Sequence, residues 1–315
     1  MRLKLSYIII FLNSLFLFAQ NKNVNVDSLI NTSKYQVFKD VKYGDHKRNS
    51  LDIWLANSKE KTPLLIYIHG GGFVGGNKDH AYRKNNFNRL NKLLNNNISF
   101  ATINYRFMNN EDGILSSLND AKRALQYIKY NHEKFNIDKT KIGLMGSSAG
   151  ATSSLWIGFN DDMSDNNSDD PIDRENTTVT CLVGIAAAHS MDLRRWRDMI
   201  DLDQNYFDEI SRKYTMGAGL DVDRWEEKTY DEEYLSKIDF FEKMDSGDPP
   251  FFIVNFGKNR KPKNIADFHH NPMHAKVLKQ KADELKIKNV VYAMGIGIID
   301  PSNTGMVEFI IEQLN

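Results

Sequence analysis

The sequence predicts an α/β fold, a mostly parallel and doubly wound sheet that begins with an antiparallel hairpin, and three observations carry that expectation. Short apolar runs without alternation recur along the chain, as strands covered on both faces require. Between them stand longer segments whose apolar residues repeat at helical spacing. Ahead of the first run, two stretches show the rough alternation of a half-exposed hairpin.

In chain order, Tyr35 to Tyr43 and Ser50 to Leu55 form the expected hairpin. The buried strands follow as Leu64 to Ile68, Ile98 to Tyr105, Ile142 to Met145, Val179 to Ala188, Phe251 to Phe256 and Val290 to Met294. Helices are expected over Asn85 to Leu94, Leu115 to Phe135, Ala149 to Phe159, Pro272 to Leu285 and Met306 to Leu314. In the second of these, Leu118, Ala121, Ala124, Leu125 and Ile128 recur three and four residues apart, so one stripe faces a core. Strand and helix alternate, which places helices on both faces of a parallel sheet.

Composition narrows the function. The 315 residues carry 41 Lys and Arg against 41 Asp and Glu, with 41% hydrophobic residues, which excludes a disordered chain and a disulfide-stapled miniature. A balanced charge without a long basic stripe gives no electrostatic reason for a nucleic acid partner; a small-molecule or polymer substrate is expected. The single cysteine, Cys181, stands in an apolar run and reads as a core residue, and no cysteine pattern suggests a metal site. No cofactor is called for. At the start, Arg2 and Lys4 precede an apolar stretch from Leu5 to Phe18, followed by Ala19 and Gln20. This reads as a cleaved signal peptide over residues 1–20, too short for a stable membrane anchor, and implies a periplasmic or secreted protein. Residues 23–315 then form one domain.

Two motifs fall at the carboxyl ends of expected strands. Gly146-Ser147-Ser148-Ala149-Gly150 joins a strand to a helix, where flanking glycines permit the tight turn that lifts Ser148 clear of the sheet. His69-Gly70-Gly71-Gly72-Phe73 follows the Leu64 to Ile68 strand and strips side chains from a loop, so that amides can face an anion. The amides of Gly71, Gly72 and Ala149 are the candidate oxyanion hole, and His69 is expected to brace the loop rather than shuttle protons.

With these segments, Ile66 to Phe73, Ile103 to Arg106, Asp120 to Ala124 and Ile142 to Gly150, the chain resembles the α/β-hydrolases of the HGGG-type esterase/lipase group, the hormone-sensitive-lipase-like and feruloyl/acetyl-xylan esterase-like branch. The resemblance implies an α/β-hydrolase fold, Ser148 as nucleophile and hydrolysis of an acyl or acetyl ester of a small molecule or carbohydrate.

The ordinary partners of that serine are missing. In this fold the acid and then the histidine follow the nucleophile. The histidine belongs after the last strand, where this chain reads Gly295-Ile296-Gly297-Ile298-Ile299, and no histidine follows His274. An aspartate is expected near Asn259 or Arg260, and none stands there. Two readings remain open. In one, His269 or His270 supplies the base, with His274 nearby and Asp267, Asp300 or a lid residue as the orienting acid. In the other, the chain is a catalytically silent binding protein that keeps the cleft of a degenerate hydrolase. A lid insertion is expected over about 189–248, with Trp196, Tyr206, Phe207, Tyr214, Trp225 and Tyr230 as its rings. Lys258, Arg260, Lys261 and Lys263 form a basic run at the rim, where an anionic polysaccharide would be attracted.

Overall fold

Apolar residues that alternate between two faces of each strand give the sheet two cores, and the helices divide between them. The computed structural model describes residues 34–108, 112–200, 202–203, 205–209 and 232–315. The expected signal peptide and the rings of Tyr214, Trp225 and Tyr230 lie outside these residues. The strands are β1 (Gln36–Lys42), β2 (Ser50–Leu55), β3 (Thr62–Ile68), β4 (Ser99–Asn104), β5 (Ile137–Ser147), β6 (Cys181–Ile185), β7 (Phe251–Lys258) and β8 (Asn289–Gly295). They form one eight-stranded sheet in the order β1-β2-β4-β3-β5-β6-β7-β8. The pairs β1/β2 and β2/β4 are antiparallel and all others parallel, so the expected hairpin and parallel sheet are both present.

Among the described residues the helices are α1 (Lys84–Asn95), α2 (Leu115–Tyr130), α3 (Ala149–Gly158), α4 (Leu193–Met199), α5 (Glu232–Ile238), α6 (Ile265–His269), α7 (Met273–Leu285) and α8 (Met306–Leu314). In β3, Leu64, Ile66 and Ile68 join the core beneath α2, α3 and α7, while Leu65 and Tyr67 face the core beneath α1 and α8. This alternation is what a strand with period two buries when both of its faces are covered. Cys181 is a free, buried residue of the second core.

The two largest differences from the sequence reading are of five residues each. β5 starts five residues before Ile142, because Ile137 pairs with Thr62 across a register shift. Helix α2 ends at Tyr130 rather than Phe135, where Asn131 leaves the helical region and its side chain turns back to the Tyr127 carbonyl. The short helices α4, α5 and α6 were not anticipated. Each has at most seven residues, too few for a periodic pattern to declare itself. No described helix is long and apolar enough to cross a membrane.

Within the expected lid, Trp196 and Phe207 are buried and pack on Phe268 of α6. Tyr206 donates from its hydroxyl to the Pro262 carbonyl and receives the Lys261 ammonium 3.9 Å from its ring centre. These rings tie α4 and the segment after it to the loop that follows β7.

Candidate active site

The strand-to-helix turn after β5 sets Ser148 at φ 51° and ψ −123°, a conformation that costs a non-glycine residue energy and persists only where its surroundings enforce it. Two glycines enforce it here. A Cβ on Gly146 would stand 2.2 Å from the Gly150 carbonyl, and one on Gly150 would stand 2.1 Å from the Ile68 carbonyl. The elbow can therefore close on itself and press against the end of β3. The Ser148 amide donates to the Ile185 carbonyl of β6 at 2.8 Å, which fixes the turn over the sheet edge. Ser148 remains partly exposed there.

The glycine loop follows β3 on the same edge. Gly71 and Gly72 take φ of 132° and 60°, which side-chain-bearing residues rarely adopt. Among the described residues no hydrogen bond takes up the amide of Gly71 or Gly72. The Ala149 amide is a donor at the first turn of α3, where no intrahelical acceptor exists. His69 is fully buried and stacks on Tyr105 with ring centres 4.3 Å apart. Its Nδ1 lies 2.8 Å from the Gly70 carbonyl and its Nε2 3.3 Å from the Arg48 guanidinium. A proton on Nδ1 satisfies both contacts, because Nε2 is then free to accept from Arg48. Burial holds the His69 pKa down at about 3, so the ring is neutral and serves as a brace.

Beside Ser148 stands His270, the residue that caps the carboxyl end of α6. The Ser148 Oγ lies 2.8 Å from His270 Nε2, the distance at which a hydroxyl donates to a neutral imidazole. Burial lowers the His270 pKa below its ordinary value, opposed by the negative charge of Asp267.

The other candidates fall elsewhere. His269 makes no hydrogen bond to the serine, is buried, and meets Trp196 edge-on at 5.5 Å. Its Nε2 has no hydrogen-bond partner among the described residues, and burial drives its pKa well below the usual range. His274 is buried too. Its Nε2 donates to the Phe268 carbonyl at 3.1 Å, leaving Nδ1 to accept from His189 Nδ1 at 2.8 Å. Asp267 gives both oxygens to Arg260, at 2.9 and 3.1 Å, and hydrogen-bonds to no histidine. The acid role expected of it is thus not supported by a contact: its charge is already paired with one nitrogen of the Arg260 guanidinium. Asp300 accepts from the amide and hydroxyl of Ser302, an internal turn. Ile298, where the histidine of the resembled group would stand, pairs its backbone with Ala293 in a tight turn after β8.

The sequence reading passed over Asn255, which is fully buried at the end of β7 and uses both ends of its amide. It also passed over the contact between Gly257 and His270. A buried asparagine in an apolar strand was the available signal, since such a group must find partners. Among the described residues no group of three or more His, Cys, Asp or Glu is arranged to hold a metal ion.

The BD-FAE family model matches residues 51–261, from β2 through the glycine loop and the elbow to the loop after β7. The chain belongs to the BD-FAE family. BD-FAE proteins are α/β-hydrolases of the esterase/lipase type. Over 118 residues the chain is 31% identical to isoprenylcysteine alpha-carbonyl methylesterase ICME of Arabidopsis thaliana, covering 37% of this chain and 26% of the plant protein. Over 131 residues it is 30% identical to bile salt-activated lipase of Homo sapiens, covering 37% of this chain and 17% of the lipase. These matches span well under two thirds of the relatives' own lengths. Among solved structures, a truncated form of a carbohydrate esterase from gut microbiota superposes with a TM-score of 0.66 at 19% identity, over 90% of this chain and 98% of the other. An acetyl ester-xyloside bifunctional hydrolase from Caldicellulosiruptor lactoaceticus gives a TM-score of 0.55 at 18% identity, over 86% and 92%. At such identities the likeness establishes the fold. The BD-FAE match ends at residue 261, nine residues short of His270, so the imidazole beside the serine lies outside the matched region.

Proposed function

We propose that this BD-FAE chain is a serine carboxylesterase that hydrolyses an acyl or acetyl ester of a carbohydrate, with Ser148 as nucleophile and His270 as base. The observation that carries the reading is the 2.8 Å contact between Ser148 Oγ and His270 Nε2. Ser148 attacks the ester carbonyl carbon while His270 Nε2 takes its proton. The oxyanion that forms is held by the amides of Gly71, Gly72 and Ala149, donors already fixed before the charge develops. The carbonyl re-forms, the bond to the alcohol oxygen breaks, and protonated His270 returns its proton to that oxygen. Water then repeats the sequence on the acyl-serine and releases the acid.

The serine–imidazole contact favours catalysis over the silent-binder alternative, since a mere binding cleft has no need of it. The carbohydrate assignment draws on the carbohydrate esterase and acetyl ester-xyloside hydrolase neighbours. Export to the periplasm or medium rests on residues 1–20, and amino-terminal sequencing of the protein made by its native cell checks it. The activity is tested with p-nitrophenyl acetate, an acetylated xylooligosaccharide and an active-site phosphonate. Labelling at Ser148, and loss of turnover in both Ser148→Ala and His270→Ala, is expected. Binding of the acetylated sugar with neither labelling nor turnover overturns the catalytic reading in favour of the silent binder.

A further inference from the structure

His270 holds its place beside Ser148 with no carboxylate bonded to it among the described residues, and the backbone around it shows what does the holding. At the end of β7 the register with β8 shifts between Asn255 and Lys258, so the strand bulges. Asn255 sits in that bulge, fully buried. Its Oδ1 accepts from the Gly257 amide at 2.7 Å, and its Nδ2 donates to the Asn271 carbonyl at 3.3 Å. One side chain thus bridges the bulge to the residue that follows His270.

Gly257 completes the arrangement by contact. A Cβ there would stand 2.2 Å from the His270 carbonyl and 2.8 Å from Asn255 Oδ1. The backbone of β7 and that of His270 therefore touch, and no side chain fits between them. Behind this, a Cβ on Gly295 would stand 2.1 Å from the Gly257 carbonyl. Three stretches of main chain are stacked at the sheet edge, the end of β8, the bulge of β7 and the turn that carries His270. Gly295 opens the turn in which the resembled group keeps its histidine.

We propose that Asn255 and Gly257 form a main-chain clamp that positions His270 against Ser148, the orienting task that a carboxylate performs in an ordinary triad. Both are positioning residues, since neither touches Ser148. The inference rests on the assignment of Ser148 and His270 as nucleophile and base. A catalytic group moved by about 1 Å loses roughly 10²-fold in rate, and that is the loss expected of either residue's replacement.

The test compares Asn255→Ala, Gly257→Ala and the double variant with wild type. It reads kcat and KM on p-nitrophenyl acetate per folded molecule, together with the crystallographic distance from Ser148 Oγ to the His270 imidazole. The expected result is a kcat lower by about 10²-fold in each single variant with KM little changed, and a serine–imidazole separation beyond hydrogen-bonding reach. Because both substitutions release the same clamp, the double variant should lose little more than the worse single one. A merely structural role would lower the melting temperature while leaving kcat per folded molecule and the distance as they were, and that result overturns the clamp. So does a double loss equal to the product of the single losses. The crystallographic distance decides the clamp even in a protein without turnover, whereas failure of the catalytic reading shows separately, as wild-type turnover that Ser148→Ala does not abolish.

Discussion

Asp267 gives both of its carboxylate oxygens to the Arg260 guanidinium, although His270 stands three residues further along the same helical turn. The imidazole beside Ser148 therefore feels Asp267 as a nearby charge and not as a hydrogen-bond partner. That charge raises the His270 pKa, against the larger lowering by burial. Asp267→Asn removes the raising influence, so the acid limb of the kcat/KM profile should move to lower pH. Turnover at pH 8 should stay within a few-fold of wild type. In a Ser-His-Asp triad the same change costs roughly 10⁴-fold, and a loss of that order, read by steady-state kinetics from pH 4 to 9, would show that Asp267 reaches the imidazole during turnover.

Burial of neutral histidines makes the fold itself sensitive to acid. His69 and His189 are held at about 3, and His269 and His274 well below the usual value, in each case chiefly by desolvation. In the unfolded chain these rings protonate near pH 6.5, while in the folded protein they do not. Between the two values the unfolded state binds more protons, so stability falls as pH drops below about 6.5 and is fully present above it. Each such ring removes ~1.4 kcal/mol per pH unit in that window. Urea denaturation at pH 7.5, 6, 5 and 4 should show a steepening decline. A flat profile down to pH 4.5 would mean that these rings are protonated or hydrated in the native state.

The elbow and the glycine loop meet at Gly150, in a backbone contact that can be broken selectively. A Cβ on Gly150 would lie 2.1 Å from the Ile68 carbonyl and 2.6 Å from that of His69, main-chain atoms on both counts. Gly150→Ala must therefore drive α3 away from the loop that carries Gly71 and Gly72. The expected loss is 10²–10³-fold in kcat, the scale of removing an oxyanion donor, with a lower melting temperature. Gly75 offers the control, because a Cβ there would meet nothing closer than the Gly71 carbonyl at 3.8 Å. Gly75→Ala should leave both kcat and melting temperature near wild type, and equal damage from the two substitutions would rule out this contact as the cause.

The sheet was legible in the sequence because each strand announces itself locally, as in Leu64 to Ile68 and Phe251 to Phe256, where both faces are apolar. The elbow was legible for the same reason: Gly146, Ser148 and Gly150 are consecutive enough to be read as one turn. The partner of Ser148 was legible only as a choice between two residues, since 122 residues separate it from His270 and the local text offers two adjacent imidazoles. Helix geometry decides between them. His269 ends α6 facing Trp196, and the next residue is rotated about 100° onward, toward the serine. The same locality explains Asp267, whose nearest sequence cue was the histidine pair and whose spatial partner is Arg260.

His69 offers the sharpest separation between bracing and proton transfer. Its ring lies on Tyr105, its Nδ1 bonds to the Gly70 carbonyl, and the Arg48 guanidinium that faces its Nε2 also reaches the carbonyls of Tyr105 and Gly76. His69→Phe keeps a ring against Tyr105 but leaves the Gly70 carbonyl without its side-chain donor, at a cost of about 1–3 kcal/mol. The loop that presents Gly71 and Gly72 loosens with it. Because a brace acts alike on every protonation state of His270, kcat should fall by the same factor from pH 5 to 9, with the acid limb unmoved. A shuttle would behave otherwise. A limb displaced by more than half a pH unit in His69→Phe would place His69 among the groups that exchange protons with the substrate, against the burial that keeps it neutral here.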